Sequence, residues 1–331
     1  MKNVRLEDIA KRLNLTKVSV SKALRDHEDI STETRDKVKK MAKKMGYHPN
    51  LQARSLTSKV TNTIGVIVPK IAHTFFASTI EGIYKTAEEF GYKVILGISY
   101  ENEKLEKDHL ESMINMRVDG LVISVTEQTR NPERFKKLKN MGINLVFFDR
   151  GFSDAGFSYV KVADRESSRK GVKRMIEMGY RDIAHLAGYQ TSRIGKERKE
   201  GYLEALEEAG ITMPESAIVE GGFSESDGSI GFEKLIKEYG KPEAIYAVTY
   251  PVGLGIRIKM EELNIDPAEI PILVFGESDF NQYLSVPFYC IDQPNFDLGK
   301  RAFEQLKKEM EAENGIHPET IEMPALVSIE T

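Results

Sequence analysis

The chain should fold as an all-α helix-turn-helix head followed by an α/β body of two lobes, each built on a parallel sheet. Three observations lead there. Through Ser58 there are 14 lysines and arginines against 7 acidic residues, and beyond it 33 against 44, so a formal net charge of −4 conceals a basic head on an acidic body. Apolar spacing changes at the same place, from short helical stripes to strand-like runs alternating with helix. The roughly 270 residues of such alternation exceed what one sheet usually holds, which points to two similar lobes.

In the head, Leu6, Ile9, Ala10 and Leu13 recur at i, i+3, i+4 and i+7 and put one apolar stripe on a short first helix. Asn14-Leu15 interrupts it, and Thr16 then offers a side-chain oxygen to cap a second helix over 17–24. Val20 and Leu24 point inward there, while Lys17, Val18, Ser21 and Lys22 face out. Two short helices on a tight turn make a helix-turn-helix. A third helix begins near Ser31-Thr32 with Glu33 in its first turn, carries Val38, Met41, Ala42 and Met45 inward, and stops at Gly46. Its outer face is Lys37, Lys39, Lys40, Lys43 and Lys44. An ordinary helical bundle with a solvated surface is the plain alternative. Against it stands the second helix, whose long donors beside a methyl-bearing residue suit guanine edges and thymine methyls in a major groove. The lysines of the third helix read as phosphate contacts, which add affinity without sequence information.

Beyond Asn62, strand-like runs at 64–68, 94–98, 121–124 and 145–148 alternate with helical segments near 75–90 and 105–116. The alternation resumes at 183–187, 218–219, 245–248 and 272–275, with helices such as 194–209 between them. Repeated strand-helix-strand units give parallel sheets covered on both faces. Ligands of such sheets bind beyond the carboxyl ends of the strands, here between the lobes. Those ends supply Phe75 and Phe76, Asp149-Arg150, Arg198, Phe223, Glu277 and Gln293. Flat rings beside carboxylates and a guanidinium suit a sugar, whose C–H faces stack and whose hydroxyls take bidentate polar partners. Singly, Phe75 and Phe76 could be core and Asp149-Arg150 a surface ion pair; their coincidence at strand ends favours a pocket.

Tyr47-His48-Pro49-Asn50-Leu51-Gln52-Ala53-Arg54-Ser55-Leu56, taken with Leu6-Glu7-Asp8-Ile9-Ala10, Val18-Ser19-Val20-Ser21-Lys22-Ala23-Leu24 and Ser31-Thr32-Glu33-Thr34-Arg35, resembles the lactose-repressor (LacI/GalR) family of bacterial transcription regulators. The similarity continues through Thr63-Ile64-Gly65-Val66-Ile67-Val68-Pro69 and covers essentially the whole chain. The resemblance implies a homodimeric, sequence-specific repressor of near-palindromic double-stranded operator DNA, controlled by a small molecule, a sugar or sugar derivative, in the cleft. DNA would be held by Arg5, Thr16, Lys17, Val18, Ser21 and Lys22 of the head and by Asn50, Ala53, Arg54 and Leu56 of a hinge segment. Alone, 50–56 is too short for a stable helix. By resemblance it pairs with its twin in the minor groove, with Leu56 wedged into the central base step. The implied body has the Rossmann-like sheets of periplasmic sugar-binding proteins, with crossings near 162–163, 288–291 and 323–325. Domains are then expected at 1–48 (head), 49–59 (hinge) and 60–331 (effector domain), with an N-lobe of about 60–162 and 290–324 and a C-lobe of about 163–289 and 325–331.

Family positions for the effector match Phe75, Asp149, Arg198, Phe223, Glu277 and Gln293. Two departures stand out. Where an Asn-Asp pair is common this chain reads Val248-Thr249-Tyr250-Pro251, and Glu277 replaces an aspartate. Either the effector is not an ordinary free monosaccharide or control comes from elsewhere; the hydroxyls of Thr249 and Tyr250, which could still donate and accept, favour an altered ligand. At Arg5 the family usually has a serine or threonine, so Arg5 cannot cap the first helix and reaches a phosphate instead.

Enzyme readings fail. Gly253-Leu254-Gly255 lacks the third glycine of a dinucleotide fingerprint, and Gly195-Lys196 has no glycine at the P-loop offset. The histidines are scattered without metal-ligand spacing, and Cys290, alone in an apolar strand, reads as an inert buried thiol, so neither a metal nor a cofactor is expected. No apolar run approaches the ~20 residues needed to cross a bilayer, and the first residues read as helix rather than a signal segment, which leads to a cytoplasmic location and no membrane partner. No heptad tail follows 325–331, so a dimer is expected rather than a tetramer. A regulator with an idle cleft and a protein partner, or a sugar-binding transport protein that gives the basic head no task, are the alternatives. Leu56→Ala should weaken binding to the operator far more than binding to random duplex, as read by competition gel shift; equal losses on both would remove the wedge role.

Overall fold

A left-handed residue closes the first helix of the head: Asn14 has φ +54°, and the Leu15 N–H turns back to the Ala10 carbonyl at 2.9 Å. The computed structural model describes residues 4–47, 60–72, 74–312 and 317–328, and the chain divides between Thr61 and Asn62 into two compact units. In the first unit, α1 (Leu6–Leu13), α2 (Lys17–Ala23) and α3 (Thr32–Met45) enclose Ile9, Ala10, Val20, Ala23, Val38 and Ala42. Leu24, expected inward, ends α2 half-buried, and Ala23, three residues after Val20, takes the core position. Caps fix the register. Thr16 Oγ1 accepts from the Ser19 N–H at 3.0 Å, and Ser31 Oγ accepts from the Thr34 N–H at 3.3 Å. A guanidinium has no acceptor, and at α1 it is the Asp8 carboxylate that takes the Arg5 N–H at 2.8 Å, half of a capping box. Gly46 (φ +67°) ends α3 as expected.

The second unit starts with β1 (Thr63–Val68), α4 (Thr74–Glu89), β2 (Lys93–Ile98), α5 (Glu103–Asn115), β3 (Gly120–Ile123), α6 (Glu133–Asn140), β4 (Asn144–Phe148) and β5 (Ser158–Val162), the N-lobe. At Ala163 the chain enters the C-lobe with α7 (Asp164–Glu177), β6 (Ile183–Ala187), α8 (Arg193–Glu208), β7 (Ile218–Glu220), α9 (Glu225–Glu238), β8 (Ala244–Ala247), α10 (Tyr250–Glu262), β9 (Ile272–Phe275) and β10 (Tyr289–Asp292). It returns through Gln293-Pro294 to α11 (Asn295–Glu311) and β11 (Thr320–Met323), then crosses again at Pro324-Ala325 to β12 (Leu326–Ser328). Among the described residues two six-stranded sheets result, ordered β11-β5-β4-β3-β1-β2 and β12-β10-β9-β8-β6-β7, and every pairing is parallel except β10 with β12. Helices cover both faces, which is why β3, β4 and β9 read as unbroken apolar runs.

One expected crossing moves. The stretch 288–291 does not pass between lobes: Tyr289–Asp292 bonds to β9 and β12 inside the C-lobe sheet, and the crossing falls at Gln293-Pro294. An apolar run looks the same to periodicity in either role. Proline, which cannot continue a ladder, marks where the strand stops.

The helices pack through glycine. A Cβ on Gly82 of α4 would lie 2.1 Å from the Phe296 carbonyl oxygen, and one on Gly299 of α11 would lie 2.0 Å from that of Thr79. Gly228 and Gly255 play the same reciprocal parts between α9 and α10, so the incomplete Gly253-Leu254-Gly255 fingerprint is a helix contact.

On β6, the His185 ring packs against both Tyr202 and Tyr246, with ring centroids 4.9 and 4.5 Å away, and its Nδ1 donates to the Tyr246 carbonyl at 2.8 Å. Burial pushes its pKa down to about 3 from 6.5, which keeps the ring neutral. The unfolded chain therefore binds a proton that the folded chain refuses: the contribution to stability is complete above pH 6.5 and is lost as pH falls from there towards about 3. Denaturant melts of His185→Gln across that interval should show a shallower loss of stability with acid than the parent; parallel slopes would refute the burial argument.

Candidate functional site

On α2, Lys17 and Val18 stand open to water, Val18 at 64 % exposure, while Ser21 and Lys22 are half-buried and Val20 and Ala23 belong to the core. The two lysines rest on acids, Lys17 3.0 Å from Glu7 of α1 and Lys22 2.7 Å from Asp29. Exposed pairs of this kind contribute little, and a phosphate or base edge can replace the carboxylate. Arg5 is exposed just before α1, whereas the Thr16 hydroxyl is already engaged, as cap to Ser19 and in a 2.9 Å bond with its hydroxyl. On α3, Lys37 pairs with Glu33 and Lys39 with Asp26; Lys40, Lys43 and Lys44 are exposed and lack an acidic partner among the described residues. Asn50, Ala53, Arg54 and Leu56 lie outside the described residues.

Between the lobes is a cleft of about 570 Å³, and all of Phe75, Phe76, Asp149, Arg198, Phe223, Thr249, Tyr250, Glu277 and Gln293 line it. Phe75 and Phe76 begin α4 edge to face at 5.0 Å; Phe76 is core, packed edge-on to Phe148 at 6.4 Å, and Phe75 remains half-buried at the wall. Phe223 lies over Gly188, where a Cβ would come 2.0 Å from its ring, and meets Tyr189 at 5.7 Å. Arg198, 4 % exposed, is fixed on three sides. Its Nε and Nη2 lie 2.8 Å from Asp164 Oδ1, its Nη1 donates to the Val248 carbonyl at 2.6 Å, and its guanidinium sits 3.5 Å above the centroid of Phe275. Gln293 sits half-buried in the crossing before α11, and Glu277 is exposed at the rim, its pKa raised by partial burial and by Asp292 and Asp279.

Asp149 follows β4 with φ +56°, a left-handed conformation that non-glycine residues seldom adopt. Its carbonyl accepts from Tyr159 Oη at 2.7 Å and from Arg193 Nη2 at 3.0 Å, and its carboxylate accepts from Ser124 Oγ at 3.2 Å. Burial raises the Asp149 pKa, with Arg150 3.8 Å away opposing it. Arg193 belongs to α8, so these contacts join the lobes. Lys161 of β5, 3.1 Å from Glu197, and Arg130, 3.5 Å from Thr191, join them again.

The hydroxyl of Thr249 is not presented as expected. Thr249 Oγ1 caps α10, accepting from the Val252 N–H at 3.4 Å, and donates to the Phe223 carbonyl at 3.1 Å. Tyr250 is 8 % exposed with its ring edge-on to Phe288. Thr249 lines the cleft chiefly as structure, whereas the buried Tyr250 Oη has no hydrogen-bond partner among the described residues and keeps its capacity to donate and accept. Glu101 and Glu127 were missed, although they follow β2 and β3, and the strand-end rule applied to those two strands finds them. Glu101 binds Arg150 at 2.9 Å and accepts from the Glu127 N–H at 3.0 Å. Among the described residues no group of three or more His, Cys, Asp or Glu is arranged to hold a metal ion, and burial pushes the Cys290 thiol up to about 12, out of reach of thiolate chemistry at neutral pH.

Residues 61–271 match the model described as periplasmic binding proteins and sugar binding domain of LacI family, and residues 5–50 match that of bacterial regulatory proteins, lacI family. Catabolite control protein A of Priestia megaterium is 29 % identical, over 94 % of each chain. The HTH-type transcriptional repressor PurR of Vibrio atlanticus is 27 % identical over 96 % of this chain and 97 % of its own. Among solved structures, a lac repressor dimer bound to operator and the anti-inducer ONPF aligns with a TM-score of 0.86 at 21 % identity, covering 99 % of this chain and 98 % of that one. A complex of the transcriptional regulator CelR with cellobiose aligns at 0.73 and 23 % identity, over 99 % of both. With a helix-turn-helix head, a two-lobed body and both family models in their places, the chain belongs to the LacI family of DNA-binding bacterial regulatory proteins.

Proposed function

We propose that the protein is a cytoplasmic, homodimeric repressor that reads a near-palindromic operator and is controlled by a small carbohydrate-related molecule held between its lobes. The observation that carries the reading is the pairing, in one chain, of an exposed donor-and-methyl face on α2 with a cleft walled by rings and carboxylates from both lobes. In each major groove Lys17 and Lys22 would exchange their carboxylates for base edges while Val18 meets a thymine methyl, with Ser21, Thr16 and Arg5 nearer the backbone. Asn50, Ala53, Arg54 and Leu56 would act together with their twins in the minor groove. In the cleft, a ring lying against Phe75 and Phe223 would reach Asp149 on one lobe and Arg198, Glu277 and Gln293 on the other. A ligand that touches both lobes prefers one arrangement of them, and that difference in affinity is what it can transmit to the DNA-binding end. Arg193 couples the two sides, since the residue whose carboxylate faces the ligand is the one whose carbonyl holds the arginine.

Sequencing the genomic fragments that the purified protein retains tests the reading; no enrichment of a two-fold related motif over random competitor would sink it. On the selected site, Lys17→Ala should cost about 1–3 kcal/mol and relax the preference at one base position. Lys40→Ala should instead lower affinity on every sequence alike and reduce the slope of log affinity against log salt by about one. A Lys40 variant that selects a different motif would mean that the faces of the head have been assigned wrongly.

A further inference from the structure

Among the described cleft residues most of the unmet hydrogen-bonding demand is for donors, the Tyr250 hydroxyl, also without a partner, being able to donate or accept. Glu127, half-buried after β3, has its Oε1 shut away from water with no partner, and the side-chain oxygen of Asn295, a residue 7 % exposed at the start of α11, is in the same state. Glu277 has no ion-pair partner among the described residues. The lining cations are mostly engaged already. Arg198 is held by Asp164 and the Val248 carbonyl, and Arg150 by Glu101 and Asp149. Lys70 has no acid within ion-pair distance among the described residues and acts on Glu127 through space. Six carboxylates, Glu101, Glu127, Asp149, Glu225, Asp227 and Glu277, therefore face three cations in the same cavity.

An incoming phosphate would meet a field in which acids outnumber cations, with both lining guanidiniums already paired to carboxylates. A neutral sugar could satisfy the acceptors but would leave the excess charge unopposed. An ammonium group does both, and the rings of Phe75, Tyr189 and Phe223 add a favourable surface for a cation. Resting on the reading of the cleft as a carbohydrate-related receptor, we infer that its ligand is an amino sugar, a hydroxylated ring bearing a protonated amine, with Glu127 and Glu277 as its charge partners.

Titration calorimetry of the full-length protein against D-glucosamine, N-acetyl-D-glucosamine, D-glucose and D-glucose 6-phosphate, below neutral pH so that the amine is charged, tests this. Glucosamine should bind about tenfold more tightly than glucose or the acetylated sugar, and the phosphate most weakly. Glu127→Gln should lower glucosamine affinity by about tenfold and glucose affinity by less than about threefold, with unfolding midpoints compared to confirm that the variant is folded; Glu277→Gln provides the same comparison independently. Equal affinity for glucose and glucosamine, or preference for the phosphate, overturns the inference and leaves the receptor reading standing. No heat from any of the four overturns both.

Discussion

The carbonyl of Asp149, held between the Tyr159 hydroxyl and the Arg193 guanidinium, is the contact on which the receptor is organised. It needs a left-handed backbone, a conformation that a non-glycine residue keeps only when its surroundings over-determine it. The surroundings do so: Tyr159 comes from the neighbouring strand β5, Arg193 from the first turn of α8, and Asp164 at the start of α7 braces both Arg193 and Arg198. One aspartate thus orders the two arginines that stand between the lobes, and both are tied to backbone carbonyls across the cleft or behind it.

Rigidity elsewhere gives that contact its leverage. The glycine crossings of α4 with α11 and of α9 with α10 bring helix backbones together with no room for a methyl group, so each lobe is tightly packed within itself and a rearrangement of the lobes would fall on the connections. The loop at 124–130, which supplies Glu127, is anchored by a buried carboxylate: Glu106 accepts from the Thr126 N–H at 2.6 Å and the Thr129 hydroxyl at 3.0 Å and pairs with Arg134 at 2.8 Å. A wall fixed in this way presents Glu127 without needing the ligand to order it.

Much of this was legible in the residues. The helical spacing of Leu6, Ile9, Ala10 and Leu13, the cap at Thr16 and the stop at Gly46 are local signals, and the head follows them. Strand ends located the cleft because in parallel sheets the position of a residue after its strand is set by topology rather than by its own chemistry. Orientation was not legible. Whether the Thr249 hydroxyl faces a ligand or caps α10 depends on where Phe223 lies, 26 residues earlier in the chain, and the partnerless oxygens of Glu127 and Asn295 are properties of the assembled cavity. The crossing was set too early, within the apolar strand that holds Cys290, for a related reason: the partners of Tyr289–Asp292, β9 and β12, are defined only by pairing.

The acids beneath the reading helix have a thermodynamic consequence of their own. Glu7 and Asp29 are held below the usual carboxylate range by the hydrogen bonds from Lys17 and Lys22, so on the proposed reading each lysine would reach the duplex already carrying its own counter-ion. Under the proposed function, docking would swap one carboxylate for an edge or an oxygen of the nucleic acid, and electrolyte would weaken what is given up as well as what is gained. The ionic-strength sensitivity contributed by α2 would accordingly be smaller than its lysine count, while that of Lys40, Lys43 and Lys44, which have no such companion among the described residues, would be undiminished. Within one small head, discrimination would thereby be buffered against ions in solution and grip would not.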